Sequence, residues 1–218
     1  MNHAADEDPR AEAIHVWRHP RAVTPSPGQS AAGLAVGWAK RSVPTGSTPG
    51  RCTGSTDTPI DRRKAKRLAR RVQGMTRQAG LPRIVVTSHL RRCADVGRWL
   101  RRWGWIHRID ASIAEIHFGD WEGRSWDDIG QSKLDEWVAD FAAYAPGGGE
   151  SLLAMLERAA SWHTTEPVVV IGHAGWMLAR RWLEEGRDSP ASAAQWPKAP
   201  KHGSLWRLSP HRFRPEVV

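Results

Sequence analysis

The feature that most restricts the fold of this chain is the alternation of short apolar runs with amphipathic segments. The runs at 13–17, 83–87 and 167–172 are rich in valine and isoleucine, and each is followed by a polar turn. Continuous apolar runs of this length are typical of buried strands, and the segments between them carry apolar residues at helical spacing. This order predicts an α/β fold, a three-layer sandwich with a mostly parallel central sheet covered by helices on both faces.

The remaining elements follow from local patterns. Further strands are predicted at 105–109 and 203–208, and helices at 61–78, 90–103, 133–143, 150–162 and 174–184. Ser125 to Asp128 fits a capping box that opens a short helix. In the helix at 150–162, the residues expected to face inward are Leu152, Leu153, Leu156 and Ala159.

The whole chain, 1–218, is expected to form one domain, because 218 residues suffice for one substantial core. The polar N-terminal residues 1–12 and a long loop at 24–54, rich in proline, glycine and serine, are expected to extend from it. No apolar run approaches the ~20 residues that span a bilayer. The N-terminus also lacks the basic-then-apolar order of a secretory signal, so we expect a cytoplasmic protein with no membrane partner.

Composition excludes some classes of site and leaves one question open. The two cysteines form no Cys-x-x-Cys pair, and no His-Glu-x-x-His helix is present, so neither a zinc site nor another cofactor is expected. The net charge of +9 suits a nucleic-acid binder, but it equally suits an enzyme that attracts a small anionic substrate.

Three of the predicted strands end in polar turns that could meet at one site. The turns are Arg18-His19, the segment from Ser88 to Arg92, and Gly172-His173. Ligands of parallel sheets bind beyond the carboxyl ends of the strands, and helix N-termini there favour anions. Two arginines and two histidines at this edge predict a phosphate pocket.

The chemistry of such a pocket assigns candidate roles. The neutral imidazole of His19 can attack phosphorus, and arginine forks bind phosphoryl oxygens. A second histidine can stabilise the transferring charge, and a carboxylic acid must protonate the leaving alcohol. Glu115 is the leading acid, because its apolar neighbours and a nearby phosphate would keep it protonated. The nearby Asp120 and Glu122 are the alternatives, and Glu122 could instead hold the turn.

These segments together resemble the histidine phosphatase, or phosphoglycerate-mutase-like, superfamily. The matching pieces are Arg18-His19, Ser88-x-Leu90-x-Arg92, the run from Glu115 to Gly123, and Gly172-His-Ala-Gly175. The resemblance implies a metal-independent phosphomonoester hydrolase that forms a phosphohistidine. Its catalytic residues would be His19, Glu115 and His173, and Arg18 and Arg92 would bind the phosphate. Further candidate substrate-binding residues are Glu150 and Ser151, in a segment common in one branch of the family, and Arg21.

Finer features are most similar to the alpha-ribazole phosphatase branch, which acts in cobalamin nucleotide-loop assembly. They include the run from Arg51 to Asp57 and Gly148-Gly-Glu150-Ser151. The chain departs from the family at Pro20, where glycine is usual. Proline supplies no N–H, so any backbone contact to phosphate there is lost, and Arg21 is the candidate to compensate.

The sequence is compatible with two alternative functions. One is phosphoglycerate mutase-like phosphoryl transfer, which would use the same residues but return the phosphoryl group to the product. The other is a non-catalytic basic nucleic-acid-binding protein on the same scaffold, which the intact catalytic set disfavours. The expected partner is therefore a small phosphorylated substrate rather than nucleic acid, and a homodimer is compatible with the sequence.

Overall fold

A five-stranded sheet forms the centre of the protein in the computed structural model, which describes residues 14–22, 50–211 and 213. The strands are β1 (Ile14–Arg18), β2 (Ile84–Thr87), β3 (Ile106–Ile109), β4 (Val169–Gly172) and β5 (Leu205–Leu208), in the order β3-β2-β4-β1-β5. The first four run parallel, and β5 pairs antiparallel with β1. The predicted mostly parallel sheet is confirmed.

The described residues form six α-helices: α1 (Arg62–Gln78), α2 (Arg91–Arg102), α3 (Trp126–Ile129), α4 (Gln131–Ala139), α5 (Leu152–Ser161) and α6 (Ala174–Glu184). Asp61 caps α1 by accepting from two backbone N–H groups of its first turn. The capping box predicted at Ser125 is present, with Asp128 as its reciprocal partner. Short polar side chains at these starts satisfy helix N–H groups that would otherwise lack acceptors.

Helices cover the sheet on both faces, as the sequence predicts. Strand residues alternate between the two faces, so that Val85 and Ile171 pack towards α1 and α2 while Val86 and Val170 pack towards α5 and α6. Each face therefore buries its own apolar cluster, and the three layers hold the carboxyl ends of β1, β2 and β4 in fixed positions.

Some predictions of detail differ from the structure. Helix α4 begins and ends earlier than the predicted 133–143, because Gly130 adopts a positive φ and the chain leaves helical geometry at Asp140. The helical spacing predicts an inward-facing Leu153, but this side chain is exposed, since the buried stripe of α5 runs through Leu152, Met155 and Leu156.

Two predicted segments lie largely outside the described residues. These are the polar N-terminal residues 1–12 and most of the loop at 24–54, of which only 50–54 is described. Within the described part of the chain, no helix combines the length and the apolar character that crossing a bilayer requires.

Candidate active site

The order of the sheet brings the three polar turns together. Strand β4 lies between β1 and β2 and runs parallel to both, so His173 after β4 is flanked by His19 and Ser88. The centres of the His19 and His173 rings are 5.1 Å apart. All three side chains are buried.

The ring of His19 is oriented by the residue that departs from the family pattern. Its Nδ1 lies 2.6 Å from the carbonyl oxygen of Pro20. Because a carbonyl can only accept, Nδ1 carries the proton and Nε2 keeps its lone pair. Proline at position 20 removes an N–H but retains this carbonyl. Burial, with the charges of Arg92 and Arg18, holds the pKa of His19 well below its usual range, so the ring is neutral.

His173 is fixed in a neutral state by two partners. Arg92 Nε donates to His173 Nδ1 at 3.2 Å, so Nδ1 carries the lone pair and the ring proton resides on Nε2. Nε2 lies 2.6 Å from the Ser88 hydroxyl oxygen, which accepts this proton. Burial is the main cause that lowers the pKa of His173 well below its usual range, and the Arg92 charge is the second.

Two arginines supply positive charge beside the histidines. Besides His173, Arg92 donates to the carbonyl oxygens of Thr56, at 2.7 Å, and of Gly54. Arg18 donates to the Pro200 carbonyl, and its Nε is buried without a partner among the described atoms. Both guanidinium groups are close enough to lower the pKa of His19, in addition to the larger effect of burial. The pocket therefore combines two neutral imidazoles with two permanent cations, which suits a phosphoryl group.

Glu115 lies at the N-terminus of α6, next to this pocket. Its carboxylate oxygens accept from the Gly175 N–H at 3.0 and 3.2 Å. A side chain at position 175 would collide with the Glu115 carboxylate, which explains the glycine in the Gly-His-Ala-Gly motif. Burial lowers the pKa of Arg18, and the Glu115 charge opposes this effect by favouring the charged form of that arginine. The structure thus brings Glu115 to the same site as the arginines.

Glu122 binds a backbone segment beside the site. We call the Glu122 carboxylate, together with the segment from Gly54 to Thr56 that it binds, the Glu122 cradle. The carboxylate accepts from the backbone N–H groups of Gly54, Ser55 and Thr56, and from that of Phe118. Two of these residues, Gly54 and Thr56, present their carbonyls to Arg92. The geometry agrees with the interpretation of Glu122 as a residue that holds the turn. Burial opposes ionisation, but the hydrogen bonds, led by the Thr56 hydroxyl, lower its pKa.

Glu150 and Ser151 are engaged elsewhere. Glu150 forms a two-pronged ion pair with Arg158, with both N–O distances at 2.8 Å. The Ser151 hydroxyl accepts from the Ala154 N–H at 3.1 Å and caps α5. Among the described residues, no hydrogen bond joins either side chain to the histidines or arginines of the pocket. Their role in substrate binding stays a prediction.

His202 is a member of the site that the sequence analysis missed. Its ring packs edge-on against the ring of His19, with the centres 5.4 Å apart. No motif surrounds it, and the two residues lie near opposite ends of the chain, so only the tertiary fold reveals the contact. Arg21, a predicted substrate-binding residue, is exposed. Desolvation lowers the pKa of His202, and the charges of Arg18 and Arg21 act in the same direction.

The neutral states of His19 and His173 make the free energy of unfolding depend on pH. As the pH falls from about 7.5 to about 5.5, the free energy of unfolding is expected to decrease, because the unfolded chain binds protons near the ordinary histidine pKa while His19 and His173 do not. Each contributes a slope of up to about 1.4 kcal/mol per pH unit in this window. Urea unfolding at several pH values measures the effect.

A variant separates the effect of the two histidines on stability from the effect of carboxylates that titrate. The lowered pKa of Glu122 produces the same sign of change, but only at more acidic pH. His173→Gln should therefore reduce the pH dependence of the free energy of unfolding by the contribution of one histidine. Asp120→Asn, at an exposed carboxylate, should leave that pH dependence unchanged. A stability that stays constant across the window would contradict a neutral pair.

A comparison of the sequence with protein-family profiles identifies a matching family. The profile of the histidine phosphatase superfamily (branch 1) matches residues 44–198, which is most of the chain. That match contains Arg92, Glu115 and His173. It begins after Arg18 and His19, which the sheet nevertheless places beside the matched residues.

Individual relatives agree with this assignment. Glucosyl-3-phosphoglycerate phosphatase of Mycobacterium tuberculosis is 30% identical over 116 residues, which cover 45% of this chain and 52% of the relative. The same enzyme of Mycolicibacterium vanbaalenii is 30% identical over 115 residues, which cover 45% of this chain and 51% of the relative. The chain spans about half the length of the curated relatives that it matches.

Solved structures show the same architecture. The native mycobacterial glucosyl-3-phosphoglycerate phosphatase superimposes with a TM-score of 0.62 at 23% identity, over 93% of this chain and 96% of that one. A protein of Thermus thermophilus gives a TM-score of 0.56 at 25% identity, with the same coverage of both chains. On the family match and this shared fold, the chain belongs to branch 1 of the histidine phosphatase superfamily.

Proposed function

We propose that this protein hydrolyses phosphomonoesters through a phosphohistidine formed on His19. The observation that carries the proposal is the hydrogen bond from His19 Nδ1 to the Pro20 carbonyl. It leaves Nε2 unprotonated, and the lowered pKa of His19 keeps the ring neutral. A neutral imidazole with a free lone pair, near the charges of Arg18 and Arg92, is a nucleophile for phosphorus.

The two half-reactions follow from the arrangement. His19 Nε2 attacks phosphorus while Arg18 and Arg92 bind the phosphoryl oxygens, and the P–O bond to the alcohol breaks. Glu115 must enter this step protonated, and it donates that proton to the departing oxygen. Water then attacks the phosphohistidine, Glu115 accepts its proton, and inorganic phosphate leaves as His19 is restored. His173 donates its Nε2–H to Ser88 in this structure, so it stabilises charge on the transferring group directly only when a phosphoryl oxygen replaces the Ser88 hydroxyl as acceptor.

Two phosphomonoesters are candidate substrates for this hydrolysis. Glucosyl-3-phosphoglycerate is favoured, because the curated relatives named for it share 30% identity with this chain over about half of their length. Alpha-ribazole phosphate is the second candidate, supported by the resemblance of the motifs from Arg51 to Asp57 and around Glu150. Phosphoglycerate mutase activity is the remaining alternative.

A turnover screen tests the proposal. The full chain would be incubated with para-nitrophenyl phosphate, glucosyl-3-phosphoglycerate, alpha-ribazole phosphate and 3-phosphoglycerate, and released phosphate would be measured with and without a metal chelator. We expect turnover that the chelator does not reduce. A shift of the phosphoryl group within 3-phosphoglycerate without net release would favour the mutase, and no reaction with any substrate would reject the function.

The proton-donor role of Glu115 predicts a dependence on the leaving group. Glu115→Gln should lower kcat by about 10²-fold or more for an alkyl phosphate, because the alkoxide needs a proton as it departs. The loss should be much smaller for para-nitrophenyl phosphate, whose leaving group departs as a stable anion. Asp120→Asn is the matched control, since its exposed carboxylate lies in the same segment.

Equal losses for both leaving groups would assign Glu115 a structural role at the N-terminus of α6. A second variant, Gly175→Ala, displaces the carboxylate without changing its chemistry, because the added methyl group would collide with it. The same leaving-group dependence is expected for this variant.

A further inference from the structure

The turn before β5, from Pro200 to Ser204, closes one side of the candidate active site. Three hydrogen bonds hold it to Arg18: Arg18 N–H donates to the Ser204 carbonyl at 3.1 Å, Gly203 N–H donates to the Arg18 carbonyl at 3.0 Å, and the guanidinium donates to the Pro200 carbonyl. Gly203 adopts a φ of +71°, which lets the turn fold back tightly. The turn thereby presents the His202 ring to His19.

Helix α1 packs against this turn and brings positive charge to it. A side chain at position 203 would come within 3.1 Å of Arg71 Nη1, which shows how closely the helix approaches. Desolvation and the Arg18 charge lower the pKa of His202, and the charges of Arg21 and of Lys64, in the first turn of α1, lower it further. The ring of His202 is therefore neutral, with the charges of Arg21 and Lys64 close enough to act on it.

Arg21 and Lys64 carry positive charge that is offset only in part. Both are exposed, and His202 keeps an exposed part although its ring packs against that of His19. Neither cation forms an ion pair with a carboxylate of the described chain. The nearby Asp61 accepts from two backbone N–H groups in the first turn of α1, which it caps, and its charge interacts with that of Lys64. A cationic cluster beside a reaction centre attracts anions.

We infer that His202, Arg21 and Lys64 form a second anion subsite beside His19, which binds a carboxylate carried by the substrate close to its phosphate ester. This inference rests on the proposed function, in which the phosphoryl group itself lies between Arg18 and Arg92. The separation of 5.4 Å between the His19 and His202 rings places the second anion within reach of a short linker. Of the two candidate substrates, the phosphoglycerate derivative carries such a carboxylate and alpha-ribazole phosphate does not.

Binding of two non-hydrolysable phosphonates tests the subsite without requiring turnover. Phosphonoacetate carries a carboxylate, and ethylphosphonate matches it in the phosphonate but lacks that charge. Isothermal titration calorimetry on the full chain at constant ionic strength should show phosphonoacetate binding about tenfold more tightly. Lys64→Met and Arg21→Met should each reduce this preference by about threefold.

Controls separate the subsite from general charge. Arg77→Met removes an exposed cation from the last turn of α1, roughly 20 Å along the helix from Lys64, and should leave the preference unchanged. His202→Gln retains a neutral donor and should keep most of the preference, whereas His202→Ala should reduce it. Equal affinities for the two phosphonates, or a preference unaffected by Lys64→Met and Arg21→Met, would overturn the inference.

Turnover of para-nitrophenyl phosphate is measured in parallel. If the phosphonate preference depends on Lys64 and Arg21 but no substrate is hydrolysed, the subsite stands and the proposed function falls. If para-nitrophenyl phosphate is hydrolysed but the phosphonates bind equally, the function stands and the subsite is rejected.

Discussion

Replacement of His19 by alanine is expected to lower kcat/KM for para-nitrophenyl phosphate by about 10⁴-fold or more, the scale of loss that follows removal of a covalent nucleophile. The variant retains Arg18, Arg92 and Glu115, so substrate can still bind, but no group remains to form the bond to phosphorus. Initial rates of nitrophenolate release over a range of substrate concentrations measure the loss.

The same variant tests the covalent intermediate. Wild-type protein quenched during turnover of labelled substrate should retain phosphate that is stable in alkali and released in acid, and His19→Ala should retain none. His163→Gln is the matched control, because His163 is exposed and lies in the segment that leads into the amino end of β4, opposite the site. Full activity in His19→Ala, or label that persists in it, would remove His19 from the mechanism.

Replacement of Arg92 by lysine should lower kcat/KM by about 10²- to 10³-fold although the charge is conserved. The guanidinium fork of Arg92 serves His173 Nδ1 and two backbone carbonyls at once. A lysine ammonium cannot reproduce this planar geometry, so His173 loses the donor that fixes its tautomer. The buried acceptors left without partners should also reduce the free energy of unfolding by about 1–3 kcal/mol.

Arg91→Lys provides the comparison, because Arg91 is adjacent in sequence but exposed. It should change neither activity nor stability measurably. If Arg92→Lys lost activity only in proportion to its unfolded fraction, Arg92 would be a structural residue rather than a phosphate ligand.

Much of the site could be predicted because parallel strands end at a common edge. Arg18, Ser88 and His173 each follow an apolar run, and strand order alone brings these turns together. The capping box at Ser125 was similarly predictable, because both of its partners lie within one turn of chain. Local patterns of this kind need no knowledge of tertiary contacts.

Other features depend on contacts that no local pattern encodes. The loss of the N–H at Pro20 is visible in the sequence, but the contact of its carbonyl with His19 Nδ1 is visible only in the structure. His202 reaches His19 only because β5 pairs antiparallel with β1 and returns the chain to that edge. Leu153 fits the helical stripe as well as its neighbours do, and only the packing of α5 against α6 decides which leucine is buried.

The Glu122 cradle has a consequence for the thermodynamics of substrate binding. The segment 53–56 contains no regular secondary structure, yet its carbonyls position the Arg92 guanidinium. By binding three successive N–H groups of this segment, Glu122 orders it before any substrate arrives. The conformational entropy of the segment is thus lost during folding rather than during association. In the proposed function, a preorganised Arg92 meets the phosphoryl group in its final geometry, so more of the contact energy contributes to affinity.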